Sequence, residues 1–428
     1  MTGAVLFISF AILLLMGTPI AVCLGVSSVG AMLVDGSGKP IETIMTTLPR
    51  IFSSSTSKFV LLAIPFFILG GNIMEKAGIS ERLINFAQTC VGHLKGGLIV
   101  VMVAVACFFA AISGSGPATV AALGMILIPA MVNAGYPAAF SAALMAAAGA
   151  IGVVIPPSIT FVVYGSIADT SIGTLFIAGL IPGLMMGLGL VLTALWLGRK
   201  MDIELIPKSS GLMRWRAFRE AFWGLLMPLI ILGGIYGGIF TPTEAAAVSV
   251  VYGLFVGFFI YKTLKIRDLY DILVDSTATT AVVMFITATA SLFAYILTRA
   301  RLDIAISNGL NDLTGGSVVL FLLVVNIILL LAGCFLDSTS ALFIFTPLFV
   351  PVATALGIDL VHFGVVMIVN LAIGLITPPV GVNLYVGCGI GKIDLKQMSL
   401  AVIPLVLTSL VVLALVTYIP TFSLMFIK

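Results

Sequence analysis

Residues 111–124, AISGSGPATVAALG, place two serines and three glycines inside an otherwise apolar stretch of the chain. In hydrocarbon every backbone N–H and C=O group needs a partner inside the protein, so such an interruption has to be built for a purpose. Pro117 suits the first turn of a helix, and Ser115 is a residue type that caps one. Gly114 lets the chain reverse. The stretch therefore predicts two helices that meet at a polar tip, over residues 98–111 and 117–131.

The composition is that of a membrane protein. Hydrophobic residues make up 61% of the 428 residues, charged residues make up 9%, and the mean hydropathy is +1.27. A soluble domain carries roughly 25% charged residues, whereas apolar segments of about 20 residues recur here from end to end. The start, MTGAVLFISF, has no charged region of the kind a signal peptide carries, so we interpret it as a first span. The sequence predicts an all-α polytopic membrane protein.

Several chemistries are not favoured by the residue types present. The five cysteines have no paired spacing and there are only two histidines, so neither a disulfide framework nor a histidine metal cluster is predicted. The net charge is +3 without a basic run for nucleic acid. No phosphate-binding GxxxxGK[ST] loop of an ATP-driven pump occurs in the chain. We expect no cofactor.

Glycine and proline positions predict an internal repeat. At an offset of 222 residues, seven of these positions coincide without a gap. The first set is Pro129, Gly135, Gly152, Pro156, Pro157, Gly165 and Pro182; the second is Pro351, Gly357, Gly374, Pro378, Pro379, Gly387 and Pro404. The chain is therefore predicted to be two copies of one unit, residues 1–210 and 221–428.

Each copy is predicted to contain five full spans, one re-entrant hairpin and one polar arm along a membrane face. The spans of the first copy are 3–17, 18–34, 59–75, 137–168 and 174–198, and those of the second are 221–240, 242–261, 276–297, 362–390 and 400–420. The hairpins are 96–131 and 317–352, and the arms are 35–58 and 262–275. The spans 137–168 and 362–390 contain Pro-Pro pairs and are predicted to be broken helices. Five spans is an odd number, so the second copy is predicted to be inverted.

The distribution of lysine and arginine favours one orientation of these spans. With both termini outside, fourteen of the twenty basic residues fall on the cytoplasmic side, where such residues collect. These are Lys76, Arg82, Lys95, Arg199, Lys200, Lys208, Arg214, Arg216, Arg219, Lys262, Lys265, Arg267, Lys392 and Lys396. The outer side holds Lys39, Arg50, Lys58, Arg299, Arg301 and Lys428. Inverted repeats with broken helices are typical of secondary transporters, whose sites lie near the midplane between the repeats.

The four interruptions predict ion sites. Two hairpin tips, at 113–116 and 337–340, and two Pro-Pro breaks occupy equivalent positions in the two copies. Symmetry predicts two oxygen-lined cation sites, each between a tip and the facing broken helix. A sodium ion suits such backbone and hydroxyl oxygens, whereas a proton relay requires ionisable groups, and Asp337 is the only acid expected at that depth. Elsewhere, Thr241 and Glu244 are predicted to form a capping box.

An enzyme and a channel are the other interpretations of these residues. Gly114-Ser115-Gly116 is faintly similar to the serine motif of an intramembrane protease, which requires a nearby histidine. His93 is expected at the cytoplasmic base of the first hairpin and His362 at the outer end of a span, so neither is placed to meet Ser115. A passive channel does not need paired closed tips. We predict that the chain is not an enzyme.

Four motifs resemble the large membrane subunit of TRAP transporters, the tripartite ATP-independent periplasmic type. They are FVLLAIPFFILGGNIMEKAGISERL (59–83), ISGSGPATVAALG (112–124), IPPSITFVVYG (155–165) and ITPPVGVNLYVG (376–387). The resemblance extends over essentially the whole chain. It implies a multi-pass protein of the bacterial inner membrane with an elevator-type fold, in which a mobile transport domain contains both hairpins and both broken helices.

The resemblance also implies function and partners. Such proteins import organic acids, for example sialic acid or a C4-dicarboxylate, together with sodium. They pair with a small four-helix membrane subunit and receive cargo from a periplasmic binding protein. A stand-alone symporter of the related divalent-anion class, which needs no binding protein, is the alternative.

Site residues follow from the resemblance by position. It implies one sodium site at Ser113, Ser115 and Gly116 with Gly149, Gly152 and Pro156. The other is at Asp337, Ser338, Thr339 and Ser340 with Gly374, Thr377 and Pro378. Cargo contacts are expected from Ser115, Ser158, Ser340 and Asn383.

Overall fold

A computed structural model of the chain describes residues 2–35, 41–201, 203 and 207–427. Among these residues it contains α-helices with short 3₁₀ and π segments and no β-strand. Lys39, Lys428 and residues 36–40 of the first predicted arm lie outside the described residues, as do residue 1 and parts of 202–206 in the first predicted repeat. The prediction of an all-α polytopic fold is confirmed.

Twenty α-helices follow one another along the described chain. In the first half they are α1 (Thr2–Leu15), α2 (Ile20–Asp35), α3 (Ile41–Thr56), α4 (Ala63–Lys76), α5 (Ile79–Val91), α6 (Gly97–Ser113), α7 (Gly116–Asn133), α8 (Ala138–Ala150), α9 (Ile159–Ala168) and α10 (Ile172–Gly198). In the second they are α11 (Gly211–Tyr236), α12 (Pro242–Phe255), α13 (Ile266–Arg299), α14 (Leu302–Thr314), α15 (Val318–Gly333), α16 (Ser338–Ala355), α17 (Leu360–Gly374), α18 (Val382–Gly391), α19 (Leu395–Tyr418) and α20 (Thr421–Leu424).

Helix boundaries recur between the two halves. Helices α6 to α10 correspond in order to α15 to α19, and the start of α7 at Gly116 and that of α16 at Ser338 differ by 222 residues. The Pro-Pro breaks fall between α8 and α9 and between α17 and α18, and both Pro-Pro bonds are cis. The predicted capping box is confirmed, because the Glu244 carboxylate accepts from Thr241 N at 2.8 Å.

The second predicted arm does not form a separate element. Most of 262–275 and all of the predicted span 276–297 lie in the single 34-residue helix α13. This helix contains neither glycine nor proline, so nothing in its sequence ends it where the arm was expected to stop. In the first half the corresponding region is divided into α3 and α4, with a 3₁₀ turn, Phe59–Leu62, between them.

Eight helices in the described residues are long and apolar enough to cross a membrane, or up to nine if α14 and α15 form one bent span. Six of these eight helices match predicted spans, and the other two, α7 and α16, belong to the predicted hairpins. The remaining four of the ten predicted spans are absent from the eight because α1 and α2 are only 14 and 16 residues long and the breaks divide each Pro-Pro span into two shorter helices. Two short helices, α5 and α14, lie outside the predicted spans and arms.

The core is formed by the helices that precede the two breaks. α8 buries every residue from Phe140 to Ala150, and α17 buries every residue from His362 to Gly374. A membrane helix that is buried on all sides lies inside the protein rather than against lipid. Around this pair pack α7, α18 and α19 on α8, and α15, α16 and α10 on α17. We call α6–α10 and α15–α19 the inner helices.

A second group of helices flanks this core. α12 packs along α4, and α13 packs against α2, α3 and α4. The contact between α4 and α12 is close, because a Cβ atom on Gly70 would overlap the Ser249 hydroxyl. Asp35 and Arg299 form an ion pair of 2.9 Å between α2 and α13. We call α1–α4 and α11–α13 the flanking helices; α4 and α13 face the hairpin tips.

Candidate functional site

The first hairpin tip gathers three oxygen atoms. Ser113 Oγ lies 2.9 Å from Thr119 Oγ1 and donates to the Ser115 carbonyl at 3.1 Å. Thr119 Oγ1 donates to the same carbonyl at 2.7 Å. The chain turns at Gly114, whose φ of +60° lies in the left-handed region that glycine adopts readily. The tip therefore presents a compact set of oxygens of the kind that binds a hard cation.

The predicted capping role of Ser115 is wrong. Ser115 occupies the N-cap position of α7, but its side chain accepts no hydrogen bond from the first turn. Its own N–H instead donates to Ser113 Oγ at 3.2 Å, which ties the residue back to the end of α6. The first-turn N–H groups of α7 are thus not capped by the side chain of Ser115.

The first break faces this tip closely. A Cβ atom on Gly152 would lie 2.9 Å from Thr119 Oγ1 and 3.0 Å from the Ser115 carbonyl oxygen. A Cβ atom on Gly149 would lie 3.1 Å from the Gly116 carbonyl oxygen. The structure thus brings Ser113, Ser115 and Gly116 together with Gly149 and Gly152, five of the residues that the sequence assigns to one site.

The other end of the break is closed by hydroxyl groups. The Val153 carbonyl, left without a helical partner, accepts from Ser158 Oγ at 2.6 Å and from Thr160 Oγ1 at 3.0 Å. The backbone of Pro157 and Ser158 is in contact range of the tip at Gly114, and Pro156 is buried next to it. Ser158 is buried with its hydroxyl turned to the break.

The second hairpin tip is built around a carboxylate. Asp337 is the N-cap of α16: its Oδ2 accepts from Ser340 N at 3.0 Å, and its Oδ1 accepts from Ser340 Oγ. Ser340 is fully buried in this capping role. Ser338 Oγ is buried and has no hydrogen-bond partner. Such an orphaned oxygen beside a carboxylate fits a site for a cation.

The second break meets the second tip backbone against backbone. A Cβ atom on Gly374 would lie 2.6 Å from Gly333 Cα and 3.0 Å from the Gly333 carbonyl oxygen. Gly381 N donates to the Cys334 carbonyl at 2.9 Å, and Thr377 Oγ1 donates to the Ile373 carbonyl at 2.8 Å. Pro378 is partly buried in the same loop. The break is therefore held against the end of α15, at Gly333 and Cys334, and of the residues assigned to this site only Gly374 takes part in these contacts.

Asn383 connects the two halves of the chain. Its Nδ2 donates to the Ala146 carbonyl on α8 at 3.1 Å, while its fully buried Oδ1 has no partner. A Cβ atom on Gly116 would lie 3.2 Å from both side-chain atoms. A side chain that the sequence assigns to cargo thus lies against the first tip rather than the second.

Both tips line one cavity of about 230 Å³ between the inner and flanking helices. The first tip contributes residues 113–118 and the second contributes residues 337–339. The wall opposite them is formed by α4 and α13. The polar residues that line it are Asn72, Glu75, Ser113, Ser115, Thr160, Thr279, Asp337, Ser338 and Thr339.

Glu75 is a second acid in this cavity and was not expected there. The sequence predicts Asp337 as the only acid at the depth of the tips, but the last turn of α4 carries Glu75 to the same cavity. Glu75 is solvent-exposed, so the cavity reaches the surface at the end of α4 that is predicted to be cytoplasmic. One turn earlier, Asn72 Nδ2 donates to Ser276 Oγ on α13 at 2.8 Å and ties the two flanking helices together.

The flanking and inner helices are in direct contact at the opposite end of α4. Lys58, just before the 3₁₀ turn that leads into α4, donates from Nζ to the Ser166 carbonyl at 2.6 Å. Ser166 is in the last turn of α9, where backbone carbonyls attract a cation. The described residues therefore form the cavity lined by both tips at one end of α4, and at the other end a hydrogen-bonded contact that borders a separate pocket of about 600 Å³.

Sequence reasoning missed the cavity residues that lie outside the tips and breaks. Thr160 lines the cavity and lies directly after a predicted break, at the start of α9. Thr119 is not among the lining residues but lies in the first turn of α7, directly after the first tip. These positions could have identified both residues. Asn72, Glu75 and Thr279 carry no such signal, because α4 and α13 are regular helices where they meet the cavity.

Comparison with known proteins identifies the family. The sequence pattern described as "Tripartite ATP-independent periplasmic transporter, DctM component" matches residues 7–422. The chain belongs to this family of TRAP transporter large permeases. The permease is therefore a multi-span membrane protein of a transporter family rather than of an enzyme family, and it is the large component of a tripartite system.

Individual relatives cover most of the permease. The C4-dicarboxylate TRAP transporter large permease protein DctM of Pseudomonas aeruginosa is 46% identical over 90% of this chain and 89% of the relative. The sialic acid TRAP transporter large permease protein SiaM of Vibrio cholerae is 42% identical over 86% of each. The isethionate TRAP transporter permease protein DctMQ of Oleidesulfovibrio alaskensis is 44% identical over 99% of this chain, which spans only 66% of that relative's length.

Solved structures share the fold at low sequence identity. The YdaH transporter of Alcanivorax borkumensis, described as having an unusual topology, superposes with a TM-score of 0.66 at 17% identity, covering 89% of this chain and 88% of its own. MtrF of Neisseria gonorrhoeae superposes with a TM-score of 0.57 at 15% identity, over 90% and 85% of the two chains. These similarities establish the fold alone.

Proposed function

We propose that the permease imports an organic acid together with sodium ions by alternating access. The observation that carries this proposal is the single cavity lined by both hairpin tips, each tip packed on a broken helix. Unpaired backbone in a membrane protein is tolerated where it lines a site or is buried in protein. Broken helices that converge between inverted repeats are the usual construction of an ion and substrate site in secondary transporters.

Two sodium sites are proposed, one for each tip. The first uses Ser113 Oγ, the Ser115 carbonyl and Thr119 Oγ1, with the Gly149 to Pro156 segment behind them. The second uses Asp337, Ser338 and Thr339 with the Gly374 to Pro378 segment, and Ser340 orients the Asp337 carboxylate. Clustered hydroxyl, carbonyl and carboxylate oxygens are suitable ligands for a hard cation, and the unpartnered Ser338 Oγ supports the second assignment.

The cargo is proposed to bind in the cavity between the tips. Relatives are named for C4-dicarboxylate, sialic acid and isethionate, and all of these are organic acids. Asn383 offers a fully buried, unpartnered amide oxygen beside Gly116, and Ser115 lines the cavity directly. Ser158 and Ser340 are proposed to support the site indirectly. Ser158 holds the Val153 carbonyl at the first break, and Ser340 holds the Asp337 carboxylate at the second tip.

The inner helices are proposed to move as one transport domain against a scaffold of flanking helices, as in an elevator. Support comes from the position of the cavity at the seam between the two groups, with Glu75 at its open end. At the other end of α4, Lys58 bridges the seam to Ser166. With both termini outside, this arrangement corresponds to a cavity open to the cytoplasm and closed to the periplasm.

The proposed partners follow from the tripartite family. We propose a small four-helix membrane subunit beside the scaffold and a periplasmic binding protein that delivers cargo, with the permease in the bacterial inner membrane. The alternative is a stand-alone divalent-anion symporter that needs no binding protein. Relatives of this chain are named as TRAP permeases, which favours the first arrangement.

Reconstitution into proteoliposomes tests the proposal. The permease is purified with a small TRAP membrane subunit from the same organism, and a periplasmic binding protein from that organism is added outside with its radiolabelled acid. We expect uptake that requires an inward sodium gradient and the binding protein. Uptake that is unchanged when potassium replaces sodium contradicts sodium coupling, and uptake that persists without the binding protein supports the stand-alone alternative.

A further inference from the structure

The cavity that holds both tips is lined by acidic and neutral side chains. Glu75 and Asp337 are its charged lining residues, and among the described residues that line it there is no lysine, arginine or histidine. Its remaining polar lining is made of hydroxyl groups and the Asn72 amide. A site for an organic acid that is walled by two carboxylates has no fixed positive side chain to offer a carboxylate of the cargo.

The basic residues nearest in sequence do not supply that charge. Lys76 follows Glu75 directly but is not among the residues that line the cavity. The Arg82 guanidinium donates to the Ala77 and Gly78 carbonyls at 3.0 Å and 2.7 Å and lies 3.8 Å over the Tyr261 ring. Arg82 is therefore engaged elsewhere, and Glu75 faces the cavity without a compensating cation in its lining.

We infer that Glu75 makes the permease selective for acids with a single negative charge, an inference that rests on the proposed sodium-coupled uptake. The two positive charges of the sodium ions are balanced by Asp337 and one carboxylate of the cargo, and the charge of Glu75 is then in excess. A second carboxylate on the cargo would remain uncompensated and would share a small cavity with Glu75. Repulsion between this second carboxylate and Glu75 reduces the affinity for the diacid about tenfold.

Neutral polar groups then discriminate the rest of the cargo. Asn72 and Thr279 lie on the flanking helices opposite the tips, and the Thr279 hydroxyl, which donates to the Asp275 carbonyl at 2.9 Å, can still accept a hydrogen bond. These groups recognise hydroxyl or amide groups, which carry no charge. The cavity of about 230 Å³ suits a small acid. Glu75 is a specificity residue in this scheme, and Asp337 belongs to the ion site.

Diacids and their monoamides provide a matched probe, because the two have nearly the same size and differ by one charge. The full-length permease in lipid nanodiscs, in the presence of sodium, is titrated with succinate and succinamate and with glutarate and glutaramate. We expect each monoamide to bind about tenfold more tightly than its diacid. In Glu75→Gln the preference should shrink to within about threefold through tighter binding of the diacid.

Glu81→Gln is the control, since it makes the same chemical change on α5 at an exposed residue that does not line the cavity. It should keep the full preference for the monoamide. Diacids that bind the wild type as tightly as their monoamides overturn the inference, and so does a preference that survives Glu75→Gln unchanged. Sodium-dependent binding in either case leaves the proposed function intact.

A sodium titration without any acid separates the two proposals. Glu75→Gln should weaken the affinity for ²²Na⁺ about threefold, because a negative charge at the cavity mouth attracts cations, while Glu81→Gln should not change it. If no acid binds in the presence of sodium, the proposed function fails. An unchanged sodium affinity in Glu75→Gln then overturns the role of Glu75 as well.

Discussion

The two hairpin tips share a backbone plan and differ in chemistry. Each joins two helices at an interruption, and each packs on the broken helix of its own half. The first tip is neutral, and the first-turn N–H groups of α7 receive no side-chain cap from Ser115. The second tip carries Asp337, whose carboxylate caps α16 through Ser340. The same fold element therefore presents positive backbone ends at one tip and a negative side chain at the other.

Because of this difference, the two tips are expected to bind different ligands although they occupy equivalent positions in the two halves. An uncapped helix N-terminus stabilises a nearby anion, whereas a carboxylate stabilises a cation. We therefore expect the first tip to serve both sodium and the cargo carboxylate, and the second tip to serve sodium alone. Substitutions at equivalent places should thus have unequal effects, and the following experiments are ordered from the largest expected effect to the smallest.

Gly374→Ala should cause the largest loss. The added Cβ would lie 2.6 Å from Gly333 Cα, so two backbones must separate at the second tip. A displacement of about 1 Å at a site can cost about a hundredfold in rate, and we expect sodium-driven uptake to fall by that factor. Gly389→Ala is the control, because no atom lies within 4 Å of its added Cβ. Normal uptake by Gly374→Ala would mean that the contact is not needed for the site.

Asp337→Asn tests whether the second tip depends on charge. The variant retains shape and an oxygen that can cap α16 but loses the carboxylate, so sodium affinity should fall about thirtyfold. The control is Asp394→Asn, where an aspartate caps α19 by accepting from Gln397 N at 3.0 Å, remote from the cavity. ²²Na⁺ binding to the purified permease measures both. Equal affinity for the two variants would assign Asp337 to capping alone.

Thr119→Val tests the first tip with a change that preserves shape. It removes one of the three clustered oxygens at that tip, and sodium affinity should fall about fivefold. Thr354→Val is the control, since the Thr354 hydroxyl bonds only the Val350 carbonyl of its own helix and is exposed. The same ²²Na⁺ measurement applies. A larger loss than in Asp337→Asn would reverse the proposed order of the two tips.

Lys58→Met should produce the smallest effect. It removes the bond from Nζ to the Ser166 carbonyl, an exposed interaction of a cation with a helix C-terminus. The equilibrium between the state open to the cytoplasm and the state open to the periplasm should shift about threefold away from the state open to the cytoplasm. The shift is measured in a Thr279→Cys background, with an impermeant maleimide added on the side of the membrane where Lys76 lies. A smaller population of the state open to that side gives slower labelling of the cysteine. Lys58→Arg should label as the wild type does; equal rates in Lys58→Met would remove the contact from the proposed closure.

The sequence predicted the interruptions well because glycine and proline act locally. The predicted gap after 98–111 and before 117–131 matches the observed end of α6 at Ser113 and start of α7 at Gly116. Both breaks also fall at the predicted Pro-Pro pairs. The continuity of α13 was missed, because the polar residues at its start indicated a surface arm while the absence of glycine and proline allowed one helix.

The cavity wall could not be predicted from local pattern. Glu75 and Thr279 are separated by some 200 residues in the chain, and their proximity to the tips depends on how α4 and α13 pack on the inner helices. Ser115 illustrates the same limit at short range: its residue type favours a cap, but its side chain accepts no hydrogen bond from the first turn of α7, and its N–H donates to the Ser113 hydroxyl.

The hydrogen bond from Asn383 to the Ala146 carbonyl also has a consequence for biosynthesis. These residues are 237 positions apart, so at typical translation rates Asn383 is made about 10–50 s after Ala146. During that interval the newly inserted first half holds its hairpin without the amide that later lies beside Gly116. Maturation of the first tip must therefore await synthesis of α18, and a ribosome stalled before residue 383 would leave a truncated protein in the membrane with an unfinished site.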